Sequence, residues 1–127
     1  MDQQELKDLR ILVVEQSDVI KDALTKAFAE SEGCQLVGMA AGSDEGLSLV
    51  ISERPDIVLM DVSPMHPRFE LLRTIRRVDQ RTIVIVFTAE HSAEMRMACR
   101  EAGAAFYAAK GQLGDVLELL QLARKLT

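Results

Sequence analysis

"DIVLMDVSPMH", Asp56 to His66, is an unbroken apolar run that stops at an acid. Ile57, Val58, Leu59 and Met60 suit a strand buried on both faces, the pattern of a parallel sheet covered by helices. Asp61 does not fit that interior. An isolated carboxylate among apolar side chains must be paired, solvated or neutralised. The stretch therefore asks for a fold that delivers a buried strand and then needs an acid at its end.

Four other short runs have the same character: "RILVV" (Arg10–Val14), "QLVGMA" (Gln35–Ala40), "TIVIVF" (Thr82–Phe87) and "AAFYA" (Ala104–Ala108). Amphipathic helices fill the gaps. The first carries Ile20, Ala23, Leu24, Ala27 and Phe28 at helical spacing behind an N-cap at Ser17. The second starts near Ser43 with Leu47, Val50 and Ile51. The third carries Leu71, Leu72, Ile75 and Val78, with Pro67 in its first turn. The fourth runs from about Ser92 through Met95, Ala98, Cys99 and Ala102 to a stop at Gly103, and the fifth carries Leu113, Val116, Leu117 and Leu120. Five strand–helix units in a row predict an α/β protein with a doubly wound, five-stranded parallel sheet.

Composition narrows the function. The 127 residues suffice for one domain, and 48% hydrophobic content argues against disorder. A net charge of −5 argues against a dedicated nucleic-acid binder, and the arginines at 73, 76, 77 and 81 then read as a solvated helix face. No apolar run approaches the roughly 20 residues of a membrane span, and the first ten residues lack a signal core. Cys34 and Cys99 have no metal or redox spacing and read as small buried side chains of a cytoplasmic protein. His66 and His91 read as surface histidines.

In doubly wound sheets, sites gather at the carboxyl ends of the strands. Here that rim collects Glu15 and Gln16, then Asp61, then Thr88 and Ala89, then Lys110. A carboxylate can attack phosphorus to give an aspartyl-phosphate, provided that cations relieve the repulsion between anions. Asp61 and Glu15 offer oxygens to Mg2+, Lys110 a fixed positive charge, and Thr88 a hydroxyl. The bland alternative is a strand-end acid that pairs with Lys110 and does nothing more.

On "ILVVEQ", "PDIVLMD", Thr88-Ala89 and "FYAAK", the chain resembles the response-regulator receiver domains of two-component signalling from Arg10 to Leu126. The resemblance implies flavodoxin-like strand order 2-1-3-4-5, with residues 10–127 as the receiver and 1–9 as an N-terminal extension. It implies that Asp61 takes a phosphoryl group from a histidine kinase or phosphotransfer protein, with Thr88 and Tyr107 as the switch and no catalytic activity beyond phosphorylation and dephosphorylation at Asp61. It also implies Mg2+ held by Glu15, Asp61 and the backbone carbonyl of Ser63. Output would pass to a downstream protein, or to a second copy, through the face of helix 4, strand 5 and helix 5. With no further domain expected after the fifth helix, neither nucleic acid nor membrane is a direct partner.

Two departures bear on this. The family has a second acid where this chain has Gln16, whose amide can coordinate but carries no charge. The loop after Asp61 is one residue short, with Pro67 and Arg68 where a small residue and glycine usually stand. Weak metal binding is expected, and the alternative is a receiver-shaped interaction module that works without phosphate. A dehalogenase-type phosphatase would need an acid at position 63, which is Ser. A flavodoxin-like carrier would need glycines in "EQSDVIK", which has none. Lastly, Leu119, Leu122 and Leu126 form a second stripe on the fifth helix. It is expected to point away from the sheet as a contact surface.

Overall fold

In the computed structural model, residues 8–89, 92–110 and 113–127 are described. The chain alternates β1 (Leu9–Val14), α1 (Asp18–Ala29), β2 (Cys34–Ala40), α2 (Ser43–Glu53), β3 (Ile57–Asp61), α3 (Phe69–Val78), β4 (Ile83–Thr88), α4 (Ala93–Ala102), β5 (Phe106–Ala109) and α5 (Leu113–Arg124). All the strand pairs are parallel, in the order β2-β1-β3-β4-β5. Strand order reverses between β1 and β3, which opens a crevice beyond their carboxyl ends.

Alternation along each strand sorts the core into two layers. Ile11 and Val13 of β1 face one way, with Leu59, Ile85 and Phe87, and are covered by Leu24 and Phe28 of α1 and by Val116, Leu120 and Ala123 of α5. Leu12 and Val14 face the other way, with Met60, Val84 and Val86, under Val50 of α2, Leu72 and Ile75 of α3, and Cys99 of α4. Because both faces are covered, Ile11–Val14, Ile57–Met60 and Ile83–Phe87 are apolar without interruption. Cys34 is half-buried and Cys99 buried; both are free thiols.

Local chemistry sets most of the helix ends. Ser17 Oγ accepts from the Ile20 N–H at 3.3 Å, and Ser92 Oγ from the Met95 N–H at 3.0 Å. Gly103, at φ +124, ends α4 by donating to the carbonyls of Cys99 and Arg100. The stem of Arg76 occupies the space where a Cβ on Gly103 would stand. Arg73, Arg77 and Arg81 are exposed as expected, but Arg76 is not a solvated side chain: its Nε and Nη2 are buried.

Other expectations shift. α3 starts at Phe69, so Pro67 precedes the helix, and Arg68 stands at the N-cap in a left-handed conformation. Ile51 and Val78 are 60% and 50% exposed, so the stripes on α2 and α3 are narrower than their periodicity indicates. Asp61 and Thr88 are the last residues of β3 and β4, rather than the first beyond them. The side chain of Leu113 and all of His91 lie outside the described residues.

Candidate functional site

The crevice between β1 and β3 holds two buried acids. Glu15 follows β1 and is 1% exposed; Asp61 closes β3 and is 7% exposed. Glu15 Oε2 accepts from the Ser17 N–H at 2.9 Å, which turns its carboxylate back over the start of α1. Lys110 reaches in from the far side of the sheet. It follows β5 directly, and its backbone N–H donates to the Thr88 carbonyl at 2.8 Å.

The Lys110 ammonium is shared. Its Nζ lies 2.8 Å from Asp61 Oδ1 and 3.3 Å from Glu15 Oε1, and passes 5.5 Å from the centre of the Phe87 ring. The contact with Asp61 Oδ1 is close in distance but poorly directed, so it acts as a charge pair rather than a well-formed hydrogen bond. Burial works against the ammonium, yet Asp61 and then Glu15 outweigh it, and the pKa of Lys110 is raised above 10.5. Thr88 is fully buried at the end of β4, one strand over from Asp61.

Two buried carboxylate oxygens, Glu15 Oε1 and Asp61 Oδ1, make no hydrogen bond. Both still face the Lys110 ammonium as ion pairs, and as hard oxygen donors they also fit a divalent ion such as Mg2+, which takes one or two carboxylates and keeps its waters. The donor set is small: among the described residues, no cluster of three His, Cys, Asp or Glu side chains could hold a metal. Gln16 is exposed. The Ser63 carbonyl accepts from the His66 N–H at 3.0 Å, while the Ser63 N–H donates to the His66 carbonyl, so the shortened loop closes on itself as a tight turn.

Tyr107 is half-buried in β5 with the Arg96 guanidinium 5.3 Å from its ring centre. Leu119 packs against the core beneath α5, whereas Leu122 and Leu126 are 46% and 66% exposed. The stripe expected to point away from the sheet is therefore split. A helix at the sheet edge buries an arc wide enough to take in position 119.

One residue escaped the sequence reading. Arg68, noted there only as a departure, donates from Nε to the Asp61 carbonyl at 2.8 Å and from Nη1 to Ser43 Oγ at 3.2 Å. Its signal was an arginine where the loop has a place for glycine.

Fold and rim together define a parallel α/β domain with an acid–acid–lysine cluster at the switch point of its sheet. The pattern of the response regulator receiver domain matches residues 11–121, and the chain belongs to that family. It is 32% identical over 118 residues to the response regulator GacA of Pseudomonas aeruginosa, an alignment covering 92% of this chain and 54% of that protein. The chain thus spans about half the length of these curated relatives. A receiver domain protein (CheY-like) from Methanospirillum hungatei superposes with a TM-score of 0.82 at 28% identity, with 95% of each chain covered. The CheX-CheY-BeF3-Mg2+ complex from Borrelia burgdorferi contains a chain that superposes at 0.82 with 24% identity, covering 91% of this chain and 89% of that one, a likeness of fold. Receiver domains are generally non-enzymatic, bind Mg2+ at the phosphorylation site, and interact with kinases or phosphotransfer proteins and with effectors.

Proposed function

We propose that Asp61 accepts a phosphoryl group from a histidine kinase or phosphotransfer protein and that the chain signals through protein contacts in the cytoplasm. The observation that carries this is one buried carboxylate at the switch point, with a lysine 2.8 Å away and a second acid beside it. An Asp61 oxygen forms a bond to phosphorus while the bond from phosphorus to the donor's leaving atom breaks, and the leaving group takes the electron pair. Lys110 holds positive charge against the phosphoryl oxygens. In this reading Glu15 and Asp61 hold Mg2+, which when bound supplies the further positive charge that relieves repulsion between the anions. The ion binds weakly, because Gln16 brings no charge and the Ser63 carbonyl is engaged in its turn. Thr88 and Tyr107 form the switch, and output uses α4, β5, the exposed Leu122 of α5 and the exposed Leu126 just beyond it.

Incubation with acetyl phosphate and Mg2+ should add one phosphoryl group to the intact mass, with none in Asp61→Asn. A wild-type protein that stays unmodified under forcing donor concentrations would move the assignment to a phosphate-independent interaction module. In Gln16→Asp, Mg2+ affinity should rise by about tenfold or more, since ligand charge count tunes such sites. Equal binding by the two proteins would remove Gln16 from the metal shell.

A further inference from the structure

Arg68 holds a backbone conformation that penalises any side chain. At φ 55 and ψ 24 it lies in the left-handed region, which glycine visits freely and arginine does not. A non-glycine residue persists there when its surroundings over-determine it, and such positions concentrate at functional sites. What determines Arg68 is its guanidinium. The two bonds to the Asp61 carbonyl and Ser43 Oγ fasten the end of β3 to the first residue of α2.

Neither bond neutralises the charge. Both acceptors are uncharged oxygens, and among the described residues no carboxylate pairs with Arg68. A half-buried cation is thus tied to the backbone of the very residue read as the acceptor, with most of its N–H donors uncommitted. The charges then sum differently from those of a site with a third acid. Glu15 and Asp61 contribute two negative charges, Lys110 and Arg68 two positive ones, and Gln16 none. These four side chains sum to zero before any ion enters.

We propose that Arg68 is a second fixed cation of the phosphoryl site, giving this receiver an Asp61 that accepts phosphate with reduced dependence on a divalent ion. This rests on Asp61 being the phosphoacceptor. The balanced step with acetyl phosphate is attack of an Asp61 carboxylate oxygen on phosphorus and departure of acetate with the electron pair, with no proton gained or lost. Arg68 opposes the negative charge of the incoming group and, by the same field, repels Mg2+.

That double action separates a charge from a strut. The test uses the full chain as wild type, Arg68→Gln and Arg68→Gly, the last suited to the left-handed backbone, with circular dichroism as the check on folding. Titration calorimetry with Mg2+ alone should show either variant binding about fivefold tighter than wild type. Intact-mass kinetics with acetyl phosphate in excess EDTA should show slow Asp61-dependent modification of wild type, reduced at least about tenfold in both variants. In saturating Mg2+ that loss should shrink to less than about threefold. Unchanged or weaker Mg2+ binding in both variants would make Arg68 a strut and overturn the proposal. Wild type modified with Mg2+ but not in EDTA would also overturn it while leaving Asp61 as the acceptor. Wild type modified in neither condition would sink both.

Discussion

Glu15 and Asp61 share one ammonium, and the protein is most exposed to single changes there. Removing one partner from a buried ionic cluster leaves uncompensated charge, so Lys110→Met should cost about 3 kcal/mol in denaturant unfolding at neutral pH. The raised pKa of Lys110 gives that contribution a pH signature. The ammonium is favoured by the folded state, so its stabilisation is complete below the unfolded value of 10.5 and fades as pH climbs through the higher folded value. Wild-type stability should therefore fall on the alkaline side more steeply than that of Lys110→Met, as measured by unfolding midpoints between neutrality and about pH 11. Parallel slopes would mean that the cluster contributes nothing through Lys110. Glu15, Asp61, Thr88 and Lys110 were legible because each stands where an apolar run ends, and a parallel sheet brings all such ends to one rim. Arg68 was not legible, because its partners are a carbonyl and a hydroxyl reached by a non-periodic loop.

At the scale of the element, α5 shows what periodicity resolves and what it misses. Spacing alone set Leu119 with Leu122 and Leu126, yet Leu119 meets the core while the other two face solvent. A heptad-like count treats a helix as a cylinder with one sharp stripe. A helix against the flank of a twisted sheet is covered over a broader arc. Leu119→Ala should cost about 2 kcal/mol in chemical denaturation, and Leu122→Ala less than about 0.5 kcal/mol. Equal losses would restore the single stripe. Strand identity survived the same simplification, because burial on both faces leaves no phase to misjudge. Helix starts fared unevenly. Ser17 and Ser92 cap as their side chains dictate, whereas Pro67 lies outside α3 because Arg68 takes the cap with its backbone rather than its side chain.

Across the whole molecule, the sheet is unevenly defended. β3 and β4 are buried from end to end and β1 at every residue but Arg10, while β5 is a four-residue edge strand, mostly half-buried. Native-state hydrogen exchange should show β5 amides opening at least about tenfold faster than those of β3. Uniform protection would mean that the sheet opens only as a unit. The strand order was implied by family resemblance rather than periodicity, since alternation says which face a residue takes and nothing about which strand is its neighbour. The pairing of Lys110 with Glu15 joins residues 95 positions apart, across almost the full extent of the fold. A chain emerging from the ribosome places both acids early, but their counter-ion arrives only with the last strand. Until then the two carboxylates have every reason to stay in water and apart. The cluster therefore assembles only once β5 has joined the sheet, so a chain cut before Lys110 would leave Glu15 and Asp61 without their shared ammonium.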